Sequence, residues 1–109
     1  KTDAKIVVMK KYKVSYTSEF VLDFNDSFDW GIANWGERLA LNWADQVEDR
    51  IAQVLSKSPK GCPIAPESEY LNDNEIRHLI IGRYRVLFTI EQDEVTVIHL
   101  RGPFNLDVE

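Results

Sequence analysis

The sequence predicts an α+β domain made of an N-terminal strand, an antiparallel helical hairpin and a three-stranded antiparallel meander, with both helices packed on one face of the sheet. Two observations predict this class. Apolar residues recur every three or four positions through residues 18–57, which is typical of amphipathic helices. After residue 74 they alternate with polar residues in three short runs, which is typical of strands. Because each helix has one apolar stripe, both stripes need an apolar sheet surface to pack against.

The length and composition are those of a small globular domain. A chain of 109 residues with 44% apolar and 28% charged residues has the usual size and make-up of one domain. We assign this domain to residues 11–102. Met9 begins MKKYKVSYT, which has the form of a native start, so residues 1–10 are treated as an N-terminal extension and residues 103–109 as a C-terminal tail.

Charge and cysteine content exclude several classes of protein. The formal net charge of −5 gives no general attraction to nucleic acid or anionic lipid. The apolar run IVVM at residues 6–9 is too short to cross a membrane. The single cysteine, Cys62, provides neither an internal disulfide nor a zinc-binding set, which favours a reducing cytoplasm. We therefore expect a cytoplasmic protein without cofactor, metal or membrane association.

The first strand and the helical hairpin follow from local patterns. Residues 11–16 alternate as a half-buried strand, and Thr17 or Ser18 can cap a helix that runs to about Asn34. Gly36 interrupts the pattern before a second helix from about Glu37 to Lys57. The stripe predicted to face inward on the first helix is Phe20, Phe24, Phe28, Ile32 and Trp35. The corresponding stripe on the second helix is Leu39, Trp43, Val47, Ile51, Val54 and Leu55.

A proline-rich loop at residues 58–74 leads to three predicted strands at about 75–81, 83–90 and 94–101. The hairpin turns are placed at Gly82–Arg83 and Gln92–Asp93, so that Ile81 pairs with Tyr84 and Ile90 with Val95. The face predicted to receive the helices is Leu79, Ile81, Tyr84, Val86, Phe88, Ile90, Val95 and Val97. The opposite face is predicted to be Ile76, His78, Ile80, Arg85, Leu87, Thr89, Thr96, Ile98 and Leu100. By the same alternation, His99 falls on the helix-packed face.

The stretch EIRHLIIGRYRVLF at residues 75–88 places Arg77, Arg83 and Arg85 on one hairpin of an acidic chain. One interpretation is structural: the arginines form exposed ion pairs with Glu75, Glu91 or Glu94, each contributing about 0–1 kcal/mol. The other is functional, because arginines between apolar strand residues can hold a phosphate or a partner protein.

Three segments together resemble the RelE/ParE superfamily of toxins from type II toxin–antitoxin systems. They are YKVSYTSEFVLDF, KGCPIAPE and EIRHLIIGRYRVLFTIEQDEVTVIHLRG, and the resemblance covers about residues 11–102. It implies a small cytoplasmic toxin of prokaryotes that a cognate antitoxin protein neutralises, in a heterotetramer or a larger complex. One branch of the superfamily, RelE-like, cuts mRNA in the ribosomal A site. The other, ParE-like, inhibits DNA gyrase.

The resemblance implies that Arg85 occupies the position of a phosphate-contacting arginine, with Arg77 and Arg101 where further basic residues often lie. Candidates for contact with the target or a phosphate are Arg77, His78, Arg83, Arg85 and Arg101, and a ribonuclease would add His99 as a proton-transfer group. The terminal segment RGPFNLDVE lacks the His, Tyr or Lys residues common at this place in ribonuclease members. Together with the net negative charge, this favours the ParE-like branch, with RelE-like mRNA cleavage as the alternative.

The expected antitoxin tail alternates acidic and apolar residues. It is expected to lie over the helical hairpin and sheet, or to add at a strand edge.

Overall fold

A computed structural model describes residues 11–70 and 74–103 of the chain. Its strands and helices, in chain order, are β1 (Lys13–Tyr16), α1 (Ser18–Trp35), α2 (Glu37–Arg50), β2 (Ile76–Ile81), β3 (Tyr84–Glu91) and β4 (Glu94–Arg101). The sheet order is β1-β4-β3-β2, with β1 parallel to β4 and the remaining pairs antiparallel. The predicted α+β class, with two helices packed against the sheet, is confirmed.

The helical hairpin begins and turns at residues that suit these positions. The Thr17 side chain accepts a hydrogen bond from the backbone N–H of Phe20, which caps α1 as predicted. Gly36 has φ = 96°, a left-handed conformation that glycine adopts without a steric cost, and it separates α1 from α2. The second helix continues beyond Arg50 as a wide π-helical turn over Ile51–Leu55, close to its predicted end.

The main core lies between the proximal half of the hairpin and one face of the sheet. The buried residues of this core are Phe20, Val47, Ile51, Leu55, Cys62, Leu79, Ile81, Tyr84, Val86, Phe88, Val95, Val97 and Leu100. The predicted sheet face therefore does receive the helices, apart from the change at Leu100. Phe88 at the centre of β3 is fully buried, and Trp43 of α2 lies 5.0 Å from Tyr84 between ring centroids.

The distal half of the hairpin departs from the predicted inward stripes. Ile32, Trp35 and Leu39 were predicted to face the core, and they are 39%, 37% and 51% exposed. The reason is that the core which packs on the sheet takes residues of α1 only as far as Phe24. Beyond that point the helices bury small residues against each other, namely Ser27, Gly31, Ala40 and Ala44.

The register of the meander matches the predicted pairs Ile81–Tyr84 and Ile90–Val95. A β-bulge then shifts the pairing, because Phe88 pairs with Val97 while Leu87 pairs with His99. Beyond the bulge the faces of β4 exchange. The predictions for Leu100 and His99 were therefore wrong: Leu100 is buried in the main core, and His99 shares a face with Leu87.

The loop between the hairpin and the meander is more ordered than its composition predicts. It contains two short 3₁₀ turns, Pro59–Gly61 and Pro66–Glu69, and Ile64 forms an isolated antiparallel bridge with Arg77. A second small core cluster on the sheet joins Ala65 of the loop to Ile76 and Leu87. The loop therefore lines the free edge of β2 and covers part of the sheet face that the helices leave open. Neither helix among the described residues is both long and apolar enough to cross a membrane.

Candidate functional site

Arg85 lies at the centre of the candidate site on the sheet face opposite the helices. It pairs across the sheet with Ile80 of β2 and with Arg101 of β4. Two like charges placed directly opposite each other destabilise a sheet unless an anion lies between them. The register therefore creates a cationic position that requires a negative partner.

Glu67, in the second 3₁₀ turn of the loop, provides that partner. Its side chain is 6% exposed and binds Arg85 through both oxygens, with Nη1–Oε1 at 3.1 Å and Nη2–Oε2 at 2.7 Å. Arg101 Nε lies 3.4 Å from Oε2 of the same carboxylate, as an ion pair without an aligned hydrogen bond. One buried carboxylate thus holds both arginines. Bidentate pairs of this kind are among the strongest side-chain interactions in proteins.

The backbone of the loop fixes Glu67 over the arginines. Ala65 donates its N–H to the carbonyl of Ile76, and the N–H of Ile76 donates to Oγ of Ser68 at 3.0 Å. Pro66 sits at the first position of the 3₁₀ turn, where its missing N–H leaves no donor unsatisfied. These contacts on both sides of Glu67 hold its side chain in one position against the sheet.

The ionisation states follow from these contacts. The hydrogen bonds from Arg85 lower the pKa of Glu67 despite its burial, and those to Glu67 raise the pKa of Arg85. His78 Nδ1 lies 2.9 Å from Nη1 of Arg85. Burial, followed by the positive charge of Arg85, lowers the pKa of His78, so the neutral imidazole accepts a hydrogen bond from the guanidinium. The site is a charged carboxylate and guanidinium beside a neutral histidine.

Arg77 and Arg83 lie outside this cluster. Arg77 is on the sheet face opposite to Arg85; it donates to the carbonyls of Lys60 and Cys62 and lies 3.1 Å from Glu75. These hydrogen bonds to the carbonyls hold the loop against β2. The predicted ion pair between Arg77 and Glu75 is present. Arg83 is exposed in the turn after Gly82. The candidate set therefore divides into a cluster of His78, Arg85 and Arg101 and two separate arginines.

His99 forms a second polar contact at the outer edge of β4. Its Nδ1 lies 3.0 Å from Oδ2 of Asp23 on α1, and the same oxygen accepts the backbone N–H of Leu100 at 3.1 Å. At the same edge of β4, the hydroxyl of Thr17 donates a hydrogen bond to the carbonyl of Ile98. Asp23 therefore satisfies the backbone N–H of Leu100, beyond the point where β1 ends, and it orients the His99 ring.

Sequence reasoning missed both carboxylates that organise these contacts. Asp23 lies within a helical stripe pattern as an ordinary polar residue, and Glu67 lies in a loop without periodicity. The one signal available for Glu67 was the proline on its N-terminal side, which favours a defined turn. Among the described residues, no group of three or more His, Cys, Asp or Glu side chains is placed to hold a metal ion.

The architecture defines a class of small α+β domains in which two helices pack on a four-stranded sheet whose open face carries arginines. The chromosomal ParDE toxin–antitoxin system of P. aeruginosa contains a similar chain, with a TM-score of 0.69 and 14% identity over 85% of this chain and 97% of that one. A chain of the toxin–antitoxin complex RelBE2 from Mycobacterium tuberculosis is similar with a TM-score of 0.54 and 18% identity, over 86% of this chain and 93% of that one. At these identities the likeness shows the fold alone.

A family model settles the membership. The model of the ParE toxin of the type II toxin–antitoxin system parDE matches residues 14–102, so the chain belongs to this toxin family within the RelE/ParE superfamily. The resemblance drawn from the sequence motifs is confirmed. A search of curated proteins gives no significant match.

Proposed function

We propose that this toxin acts by binding and inhibiting a cellular protein, DNA gyrase, in the cytoplasm, without cutting RNA, and that a cognate antitoxin neutralises it. The observation that carries the proposal is the bidentate contact between Glu67 and Arg85. Family membership supports a ParE-like toxin, and the contact argues against the RelE-like alternative for a physical reason.

A ribonuclease needs cations that stabilise the charge developing on the phosphate. Here the two arginines that face each other across β3 and β4 already have a buried anion, Glu67, between them. An incoming phosphate would have to displace this carboxylate or accept its repulsion. Hydrogen bonds to charged groups contribute about 1.5–3 kcal/mol each, so the displacement is costly. The geometry favours a structural ion pair over a phosphate clamp.

His78 and His99 are also poorly placed to transfer protons in a ribonuclease reaction. Neutral His78 accepts a hydrogen bond from Arg85, which occupies its Nδ1 atom. His99 is held by Asp23 at the edge of β4, opposite Leu87 rather than opposite an arginine. Neither histidine forms part of an arrangement in which an acid and a base flank a free phosphate position.

The antitoxin partner is supported by the two solved structures, both of which come from toxin–antitoxin systems. A protein that binds only the folded toxin stabilises it by mass action. We expect the toxin to melt at a higher temperature in complex with the product of a short adjacent reading frame. A gene without such a neighbour, together with a product that is harmless on expression, would contradict the neutralised-toxin proposal.

Two assays on the purified protein test the mechanism. In the first, increasing toxin should inhibit gyrase supercoiling of a relaxed plasmid. In the second, translating ribosomes incubated with toxin should show no codon-specific mRNA cleavage. Arg85→Ala, compared with Arg83→Ala in the exposed turn, should alter gyrase inhibition no more than its effect on stability accounts for. Cleavage in the ribosomal A site that Arg85→Ala abolishes at an unchanged melting temperature would make the ribonuclease alternative correct.

A further inference from the structure

Arg101 lies at an end of the sheet where arginines outnumber the carboxylates paired with them. The β2–β3 turn and the start of β3 contribute Arg83 and Arg85, and the end of β4 contributes Arg101. Within residues 11–70 and 74–103, Glu67 is the one carboxylate that forms an ion pair with any of these three arginines. The four side chains together carry a formal charge of +2, in a chain whose net charge is −5. An acidic segment of a partner is therefore attracted to this end, whereas the chain as a whole repels it.

Arg85 and Arg101 share Glu67 unequally. Arg85 uses both Nη atoms, at 3.1 Å and 2.7 Å from the two carboxylate oxygens. Arg101 approaches through Nε, 3.4 Å from Oε2, and this N–H is buried without an aligned hydrogen bond. The hydrogen bonds from Arg85 do most to lower the pKa of Glu67, and the positive charge of Arg101 does least. Glu67 is therefore the counter-ion of Arg85, and it neutralises Arg101 only weakly.

The guanidinium of Arg101 has donors to offer a second anion. Its side chain is 32% exposed, and it donates no hydrogen bond to any residue in the described part of the chain. A guanidinium presents its N–H groups as a planar fork, and the two Nη groups match the two oxygens of a carboxylate. A partly buried charged group without hydrogen bonds is unfavourable, so a carboxylate that reaches these donors binds with a gain in free energy.

Ile80 adds an apolar contact to the same face. Ile80, Arg85 and Arg101 are cross-strand neighbours on β2, β3 and β4, so they form a row across the open face of the sheet. Ile80 is 53% exposed. Neighbouring strands lie about 4.8 Å apart, so the two ends of the row are about 10 Å apart, which about three residues of extended chain can span. The row therefore fits a segment with an acidic and an apolar residue about three positions apart.

We infer that Arg101 binds a carboxylate of the antitoxin, on a segment whose neighbouring apolar residue contacts Ile80. This inference rests on the proposed function, since it takes the antitoxin as the partner and assigns a contact to it. The acidic and apolar segment expected of the antitoxin has both groups that the row requires, whereas a free anion would gain nothing from Ile80. In the complex, Arg85 and Arg101 each have one carboxylate, which balances the two like charges that face each other across the sheet.

The first test measures dissociation of the full toxin from the full antitoxin by surface plasmon resonance. Arg101→Gln removes the guanidinium, and Arg38→Gln removes the same charge at the exposed start of α2. We expect the dissociation rate constant to rise about tenfold or more for Arg101→Gln and to stay within about twofold of wild type for Arg38→Gln, because loss of one member of a charge pair acts mainly on dissociation. Arg101→Lys keeps the charge but not the fork, so its rate constant should lie between those of wild type and Arg101→Gln.

A pair of apolar variants tests the other end of the row. Ile80→Gln changes the exposed residue on the open face, whereas Ile64→Gln changes a residue that is 52% exposed and bridges to Arg77 at the outer edge of β2. Ile80→Gln should accelerate dissociation about threefold or more, because apolar surface that the complex covers is lost. Ile64→Gln should stay within about twofold of wild type. Equal rate constants for these two variants would remove Ile80 from the contact and overturn the inference.

A structural role for Arg101 predicts a different result. Arg101→Gln leaves the bidentate contact between Arg85 and Glu67 in place and removes a like charge opposite Arg85, so the melting temperature of the free toxin should not fall. On expression in cells, Arg101→Gln should still inhibit growth, and more antitoxin should be needed to neutralise it. A lower melting temperature with unchanged dissociation would make Arg101 a structural residue and would overturn the inference.

The remaining outcomes separate this inference from the proposed function. If Arg101→Gln and Arg38→Gln dissociate at equal rates, the inference is wrong and neutralisation by the antitoxin stands. If Arg101→Gln binds antitoxin normally but no longer inhibits gyrase, the carboxylate belongs to the target. If it binds antitoxin normally but loses affinity for an RNA oligonucleotide, the ligand is a phosphate. A wild-type dimer that Arg101→Gln dissociates would show a second copy of the chain to be the partner. Each of these results overturns the inference, and a wild type that binds no antitoxin overturns both.

Discussion

The sheet and the tip of the helical hairpin, residues 30–41, bury their residues in opposite ways. On the sheet, large side chains such as Phe88 are fully buried, and the arginines of the open face are neutralised by a carboxylate from the loop. At the tip, the buried residues are Gly31 and Ala40, and the large side chains are exposed. The difference indicates that the free energy of folding comes mainly from the sheet and the proximal hairpin. The tip extends beyond this core.

The strongest test of this comparison is the same truncation in both regions. Phe88→Ala removes a fully buried ring and leaves a cavity, so it should reduce the free energy of unfolding by about 3–5 kcal/mol. Phe28→Ala removes a half-buried ring on the distal part of α1 that lies outside the main core, and it should cost less than half as much. Urea unfolding at equal m-value provides both numbers. Equal losses would show that the distal hairpin contributes to stability as much as the sheet.

The next test concerns the buried carboxylate. Glu67→Gln leaves Arg85 and Arg101 facing each other without a charged partner, and breaking a buried ion pair in this way should cost about 3 kcal/mol. The matched change Glu75→Gln disrupts the pair with Arg77, in which the carboxylate is 54% exposed, and should cost less than about 1 kcal/mol. If both variants unfold at the same urea concentration, Glu67 is not the structural anion described above.

Only part of this fold can be predicted from the sequence. The helices, the strands and the residue pairs that flank the two hairpin turns follow from local periodicity, which can be read directly from the sequence. The bulge in β4 was missed, although the sequence VTVIHLR breaks its alternation at Val97–Ile98, where Phe88 and Leu87 take partners two residues apart. Its effect is large for function, since it reverses the faces predicted for His99 and Leu100.

The exposure of the tip and the position of Glu67 were unpredictable for a different reason. A helical stripe shows which residues share a face, but not how far the opposing sheet extends. Ile32 and Leu39 continue their stripes beyond the point at which the sheet core ends. The contact of Glu67 with Arg85 joins residues 18 positions apart through a loop whose path is set by backbone hydrogen bonds to β2. Such contacts depend on the assembled fold rather than on a local pattern.

A pH titration of stability distinguishes His78 on β2 from Glu67 in the loop. The folded pKa of His78 is lowered, so below about pH 6.5 the unfolded chain gains a proton that the folded chain does not, and stability falls. The folded pKa of Glu67 is also lowered, so its contribution is complete above about pH 4.3 and is lost as the pH falls through the folded value. His78→Gln should remove the first decline, and Glu67→Gln the second. A decline that begins at the same pH in all three proteins would contradict these assignments.

The smallest expected effect is at the tip itself. Leu39 is 51% exposed, so Leu39→Gln removes apolar surface that folding largely leaves in water, and the free energy of unfolding should change by less than about 0.5 kcal/mol. Leu55 has the same side chain fully buried near the end of the hairpin, and Leu55→Ala should cost about 2–5 kcal/mol. Thermal or urea unfolding of the two variants, side by side, measures the contrast. A clear drop in stability would instead place Leu39 among the residues that hold the hairpin together, and the tip would then be part of the folding core.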